Sequence, residues 1–195
     1  MADEDPKASD PEIVTRMFKG DGYWAIVATR PACKDPFQWP AGSGLSAEHK
    51  DYVLTVHGLP ASPLRATLCD VETLAWKPLE LEQDGDSVRL RLNTNWALVA
   101  LSTADGPLVV DFARPPATTP GNRVTLKLAT VNGHPLHGNP LPVSVNAPGM
   151  KMESAPVSVP GDVALMVPPD TLPGLYAVTV HGQHVLGVKR FLKVE

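Results

Sequence analysis

The fold depends on one stretch, Asp111-Phe112-Ala113-Arg114-Pro115-Pro116-Ala117-Thr118-Thr119-Pro120-Gly121, which separates two runs of alternating apolar and polar residues. Its three prolines fix φ and remove backbone donors, so the stretch cannot continue a sheet ladder. Proline-rich segments of this kind act as semi-rigid spacers. The sequence therefore predicts a linker at residues 113–117 between two small β domains, at residues 12–112 and 118–195.

The overall composition favours β structure. The chain has 195 residues, of which 43% are hydrophobic and 19% charged, as in globular rather than disordered proteins. Its 21 prolines are about twice the average usage. Proline is tolerated in turns and edge strands but not in helix interiors. No long segment keeps a helical period, so we predict an all-β protein.

Short strands and turns fill the first half. Leu79–Glu82 and Val88–Leu92 alternate strictly and are joined by Asp84-Gly85, a strong hairpin signal. Trp96–Leu101 is more continuously apolar, which is typical of a central strand covered on both sides. About eight such strands predict an antiparallel sandwich. The acidic residues 1–11 before it are expected to form a disordered tail.

The alternating pattern restarts after the predicted linker. Val124–Leu128 alternates strictly, and Leu175–His181 and Val185–Val194 form a predicted hairpin across Gly182-Gln183. About seven strands fit in this half, the number in an immunoglobulin-like sandwich. We therefore predict two tandem antiparallel β-sandwich domains, the second of them immunoglobulin-like.

The second half resembles bacterial immunoglobulin-like domains in two motifs. One is the segment Asn132-Gly133-His134-Pro135-Leu136-His137-Gly138 followed by Pro142-Val143-Ser144-Val145. The other is a Pro-Gly-x-Tyr corner before a core strand, within Asp170-Thr171-Leu172-Pro173-Gly174-Leu175-Tyr176-Ala177-Val178. The resemblance implies a fold for residues 118–195 and carries no activity with it.

The first half resembles a different family. The segment Phe18-Lys19-Gly20-Asp21-Gly22-Tyr23-Trp24-Ala25-Ile26-Val27 is similar to the start of the β-sandwich that follows the catalytic barrel in α-L-fucosidase-like glycoside hydrolases. The segment from Leu79 to Leu101 is similar to such C-terminal domains as well. The resemblance implies an accessory domain of a carbohydrate-active enzyme. The catalytic residues of that family lie in its barrel, so none is carried over to this sequence.

Catalytic templates are absent from the sequence. It contains no Gly-x-Ser-x-Gly, no His-Glu-x-x-His, no phosphate loop and no dinucleotide fingerprint. The acidic pair Asp84 and Asp86 lies in a predicted turn, where aspartate serves local hydrogen bonding. Cys33 and Cys69 lie in no recognisable nucleophile context. They are either two separate thiols or a disulfide, which needs Cα atoms within about 7 Å. We predict that the chain is not an enzyme.

Imidazole and thioether groups, which suit copper, recur in the second half as His134 and His137, Met150 and Met152, and His181 and His184. These pairs lie beside glycine or proline in predicted turns, where polar surface residues are ordinary. We therefore predict no metal site and no cofactor.

Two aromatic residues are the candidate ligand-binding residues. Phe37 and Trp39 lie in a proline-rich loop, whereas Trp24, Trp76 and Trp96 fall in or beside predicted strands and are expected in the core. Exposed aromatic rings stack on the apolar faces of sugars, so the loop is a candidate glycan site. The alternative is that the loop packs against its own sandwich or against a neighbouring domain.

Charge and segment composition narrow the partners and the location. Residues through Phe112 contain 10 Lys and Arg against 17 Asp and Glu, and the remainder contains 7 against 4. Neither half has a basic stripe with interleaved aromatics, so we expect no nucleic acid partner. No apolar segment reaches the roughly 20 residues of a membrane span. The acidic start lacks signal-peptide features, which leaves a cytosolic protein or a piece of a longer exported precursor. We favour the exported precursor, and thus an extracytoplasmic location.

These patterns together predict a non-catalytic accessory module from the C-terminal part of a larger exported glycoside hydrolase-like protein. Its role would be structural or carbohydrate-presenting, with a catalytic domain of the same precursor and a glycan as expected partners. The competing hypotheses are a cell-surface adhesion or protein-interaction module and a periplasmic metal-binding protein.

Overall fold

The computed structural model describes residues 5–30, 51–70, 74–113, 115–133, 140–153 and 156–195. All regular secondary structure in these ranges is β-strand, which confirms the predicted fold class. The same ranges contain no helix suited to crossing a bilayer. The chain divides into two compact units: unit 1 is Met1–Glu72 with Lys77–Gly106, and unit 2 is Thr73–Trp76 with Pro107–Glu195.

Unit 1 is built from two sheets whose described pairings are all antiparallel. Its strands are β1 (Lys7–Ala8), β2 (Val14–Gly20), β3 (Tyr23–Thr29), β4 (Asp51–Val56), β5 (Leu64–Cys69), β6 (Trp76–Leu79), β7 (Leu81–Asp84), β8 (Ser87–Asn93) and β9 (Trp96–Thr103). The first residue of β6, Trp76, is counted in unit 2. The four-stranded sheet has the order β1-β4-β8-β7, and the five-stranded sheet has the order β2-β3-β9-β5-β6. The predicted central position of β9 is thereby confirmed.

Alternate side chains from both sheets of unit 1 meet in one core. On β8 the even-numbered residues are buried, while Arg89 and Arg91 between them are exposed. Because successive side chains of a strand point to opposite faces, this alternation gives each sheet one apolar face. Full burial of each Leu, Ile or Val side chain contributes about 1.5–3 kcal/mol. The largest fully buried side chains of this core are Ile26, Leu54, Val56, Val88, Leu90, Val99 and Leu101.

The prediction of a disordered tail is wrong for residues 5–11. Strand β1 pairs with β4 at the edge of the four-stranded sheet. The Asp10 carboxylate pairs with the Arg30 guanidinium, and Asp5 Oδ1 accepts from the Met17 backbone N–H at 3.1 Å. The acidic composition suggested a solvated segment, but these carboxylates have specific partners in the sandwich.

Unit 2 is a second all-β unit. Its strands are β10 (Leu108–Phe112), β11 (Arg123–Thr130), β12 (Leu141–Asn146), β13 (Lys151–Met152), β14 (Val157–Val159), β15 (Gly161–Met166), β16 (Gly174–Gly182) and β17 (Val185–Val194). They hydrogen-bond in the order β13-β15-β11-β10-β17-β16-β12-β14. Strand β10 pairs antiparallel with β11 and parallel with β17. It therefore connects the strands β13-β15-β11 to the strands β17-β16-β12-β14.

Strand β10 corrects the predicted domain boundary. We expected it to close the first domain at residue 112, but its partners β11 and β17 both belong to unit 2, which begins at Pro107 in this part of the chain. Residues 113–117 are consequently not a linker between domains. They connect β10 to β11 within unit 2, where Pro115 is buried and Thr118 forms a parallel bridge with Val194. Proline interrupts the hydrogen-bond ladder of a sheet. Such an interruption marks the end of a strand, and it occurs between two strands of one unit as well as between two domains.

Candidate functional site

The outer face of the five-stranded sheet exposes two aromatic side chains. Phe18 on β2 is 61% exposed, and Trp96 on β9 is 43% exposed. The register places Val14 and Trp96 in one cross-strand row, each opposite Thr29. Since cross-strand partners project to the same side of a sheet, these residues share the face that points away from the core. We define the aromatic face as Val14, Arg16, Phe18, Val27, Trp96 and Leu98.

The phase of strand β9 explains why Trp96 is on this face. Ala97, Val99 and Leu101 occupy the core side of the strand with at most 1% exposure. Trp96 is one residue out of phase with them and therefore projects outward. The expectation that Trp96 belongs to the core is wrong. In a continuously apolar run, the sequence does not show which alternate residues face the core. Trp24 is buried as expected, and Trp76 is half-buried.

The aromatic face is broad enough for an extended ligand. Phe18 lies opposite Ala25, which in turn lies opposite Ala100, four residues along β9 from Trp96. Regular sheet spacings then put the Cα atoms of Phe18 and Trp96 about 17 Å apart. This distance exceeds the width of one sugar ring. Both aromatic rings can therefore contact one extended ligand, such as an oligosaccharide, that lies across the sheet.

The edge of this sheet is closed at its middle by the N-terminal segment. Strand β2 is an edge strand, and exposed edges pair readily with other chains. Asp5 accepts from the Met17 backbone N–H, and its second carboxylate oxygen accepts from Arg16 Nη1 at 2.9 Å. The backbone N–H of Met17 is therefore not open to a ligand at this edge, and a ligand would instead contact the side chains of the aromatic face.

The four-stranded sheet carries a different feature, a shallow polar depression of about 440 Å³ on its outer face. In its floor the Asn93 side-chain amide donates to the carboxylate of its cross-strand partner Asp51. Arg91 lies two residues from Asn93 on β8, opposite Val53. Its Nη2 is 2.9 Å from Glu82 Oε1. The depression is lined by Ser9, Asp51, Tyr52, Val53, Arg91, Leu92 and Asn93.

A buried tyrosine lies close to the Asp10–Arg30 pair. Burial raises the pKa of Tyr52 to about 12, while the nearby Arg30 charge lowers it and Asp10 raises it. The Tyr52 hydroxyl has no hydrogen-bond partner in the described part of the chain. A phenol with this pKa stays protonated at neutral pH, so its ionisation affects stability only at high pH.

Several residues that sequence reasoning selected lie outside the described ranges. These include the candidate glycan residues Phe37 and Trp39, together with Cys33, His134 and His137. The prediction of a glycan site at Phe37 and Trp39 therefore stays a prediction. Sequence reasoning passed over Phe18, although the outward phase of the residues Val14, Arg16 and Phe18 on β2 was readable once Thr15 was placed inside.

The remaining candidates for chemistry are not brought together. Asp84 and Asp86 are exposed at the turn between β7 and β8. Met152, His181 and His184 are exposed in unit 2. In the part of the chain that the structure describes, no group of three or more His, Cys, Asp or Glu side chains converges as metal ligands would.

Comparison with known proteins assigns no family: no protein-family model matches the chain, and no curated protein matches it.

Proposed function

We propose that this chain is a non-catalytic accessory module that binds carbohydrate through the aromatic face of unit 1. The observation that carries the proposal is the exposure of Phe18 and Trp96 on one face of one sheet. Sugar rings present apolar C–H faces, and these faces can lie against aromatic side chains that are exposed on a sheet. The larger protein to which the module belongs would be an exported enzyme of the glycoside hydrolase type.

The energetics favour a ligand on this face. Apolar area in water costs about 25 cal/mol per Å², and an aromatic side chain carries 150–250 Å². Covering part of Phe18 and Trp96 therefore returns about a few kcal/mol before the costs of association. We expect weak binding to a single sugar and stronger binding to a chain long enough to contact both rings.

The second unit supports a structural role. The Tyr176 hydroxyl near the start of β16 donates to the Leu172 carbonyl at 2.7 Å, which is the pattern of a tyrosine corner. This contact supports an immunoglobulin-like interpretation of unit 2. Such a sandwich would act as a rigid spacer or support within the larger protein.

The test is binding of the whole chain to a panel of soluble polysaccharides, measured by affinity electrophoresis. Phe18→Ala and Trp96→Ala should each weaken binding at least tenfold. Leu172→Ala is the control, because Leu172 is an apolar side chain that is 75% exposed and belongs to unit 2, whereas Phe18 and Trp96 belong to unit 1. Retention of full binding by both aromatic variants would contradict the proposal.

A protein-interaction module is the second candidate. Aromatic side chains are enriched in protein interfaces, and the aromatic face would suit a partner as well as a glycan. No binding to any polysaccharide, together with capture of a partner that Trp96→Ala abolishes, would favour this alternative.

A further inference from the structure

We propose that the polar depression on the four-stranded sheet is a second binding site, specific for a small polyhydroxylated carboxylate such as a uronic acid. This site goes beyond the proposed function, because it lies on the other sheet of unit 1 from the aromatic face. Three features carry the inference: the acceptor and donor that Asp51 and Asn93 provide, the Arg91 side chain that lines the depression two residues away on β8, and the spacing of these residues.

One end of the depression suits hydroxyl groups. Asp51 and Asn93 are directly opposite each other on β4 and β8, and the Asn93 amide donates to the Asp51 carboxylate. The remaining lone pairs of the carboxylate accept hydrogen bonds, and the remaining N–H of the amide donates one. Neighbouring hydroxyls on a sugar ring need this combination of acceptor and donor.

The other end suits a carboxylate. The Arg91 side chain is 81% exposed, and a guanidinium binds a carboxylate through two parallel hydrogen bonds. In this structure the Glu82 carboxylate contacts it at 2.9 Å, with 59% of the Glu82 side chain exposed. Exposed ion pairs contribute little to stability, so a ligand carboxylate can replace that of Glu82.

The spacing and the charges set the orientation of the ligand. Arg91 and Asn93 are two residues apart on one strand, so their side chains emerge about 7 Å apart on the same face. One sugar ring spans this distance. Because Asp51 repels a second carboxylate, the acidic group of the ligand is directed to Arg91 and its hydroxyls to Asp51. Ser9 Oγ, which accepts from the Val53 N–H at 2.9 Å, can donate its own proton to the ligand.

The experiment is an NMR titration of the whole chain with three probes: D-glucuronate, D-glucose and acetate. D-Glucuronate should bind at least tenfold more tightly than either of the others, because only it engages both ends of the depression. Equal affinity for D-glucose, or no binding of D-glucuronate at millimolar concentration, would overturn the proposal.

Matched variants separate the site from a general charge effect. Arg91→Gln should weaken D-glucuronate binding at least tenfold. Arg89→Gln removes the same charge from the same face of β8 but outside the depression, and it should leave affinity within twofold. Equal losses in the two variants would show non-specific attraction and overturn the proposal.

Two further variants complete the design. Glu82→Gln removes the competing carboxylate and should raise the affinity about two- to fivefold, the weight of an exposed ion pair. Phe18→Ala should leave unchanged the D-glucuronate-induced shifts of the Asp51, Arg91 and Asn93 NMR signals, so failure of the aromatic face as a glycan site and failure of this second site are distinguishable. Loss of these shifts in folded Phe18→Ala would contradict two separate sites.

Discussion

Arg190 and Asp111 form a buried, two-pronged ion pair in unit 2. Arg190 Nε donates to Asp111 Oδ1 at 2.7 Å, and Nη2 donates to Oδ2 at 2.6 Å. The two side chains are only 6% and 10% exposed. The same carboxylate accepts from the backbone N–H groups of Trp76 at 2.9 Å and Phe112 at 2.7 Å. The pair joins β10 to β17, two strands that the predicted boundary assigned to different domains.

Removing one partner of this pair should destabilise unit 2. Arg190→Met leaves the Asp111 carboxylate buried without its cation, which costs about 3–5 kcal/mol for a buried pair. Arg123→Met is the control, because it breaks the exposed pair with Glu153 and should cost below about 1 kcal/mol. Urea unfolding of both variants checks the prediction, and equal shifts would contradict it.

The buried tyrosine predicts a loss of stability at high pH. Its pKa is about 12 in the folded protein and 10.0 in the reference state, so the unfolded chain releases the phenol proton first. The stabilising contribution of Tyr52 is therefore complete below pH 10 and declines as the pH rises toward 12. Tyr52→Phe should unfold with about 1 kcal/mol less loss than the wild type between pH 9 and pH 11.

The same substitution gives a second result at pH 7. Removing a buried hydroxyl that has no hydrogen-bond partner among the described residues should leave the free energy of unfolding unchanged or slightly raised. Tyr176→Phe is the contrast, because it removes a hydrogen bond to Leu172 and should cost about 0.5–1.5 kcal/mol. A large loss for Tyr52→Phe at pH 7 would mean that the hydroxyl has a partner.

Two glycines of the β16–β17 pair should respond differently to alanine. A Cβ at Gly187 would lie 2.1 Å from the Val180 carbonyl oxygen, so backbone must move and stability should fall by about 1–3 kcal/mol or more. A Cβ at Gly174 would meet nothing closer than the Tyr176 ring at 3.8 Å. Gly174→Ala should therefore be neutral or slightly stabilising. Thermal unfolding of the two variants decides the point.

The N-terminal segment should contribute to the stability of unit 1. Asp10→Ala leaves the Arg30 side chain, which is 10% exposed, with Glu12 at 3.7 Å as its remaining carboxylate among the residues that the structure describes. We expect a loss of about 2–3 kcal/mol, just below the range for fully buried pairs. Glu82→Ala breaks an exposed pair and should cost below about 1 kcal/mol. A loss as small as that in Asp10→Ala would restore the prediction of a free tail.

Local features of the fold were predictable from the sequence. The hairpin signal at Asp84-Gly85 is confirmed by the pairing of Asp84 with Ser87 and by a positive φ of 59° at Gly85. The turn glycine Gly22 likewise has a φ of 71°. Glycine adopts such angles without steric cost, so the residues themselves specify these turns.

The candidate sites were less predictable, for a physical reason. Alternation along β8 identified its buried residues, but the apolar run that contains Trp96 has two possible phases. Only its pairing with β3 and the resulting core decide that Trp96 points outward. Apart from Leu92 and Asn93, the residues that line the polar depression with Arg91 are distant in sequence: Ser9, Asp51, Tyr52 and Val53.

The sequence by itself determined that this protein is all-β, where most of its strands alternate and where its glycine turns lie, because these properties depend on neighbouring residues. Tertiary structure decided that β10 belongs to unit 2, that Lys7–Ala8 pairs with β4, and that Phe18 and Trp96 are exposed. Which strands pair depends on contacts between residues distant in sequence and on burial in a shared core. Local alternation of apolar and polar residues specifies neither.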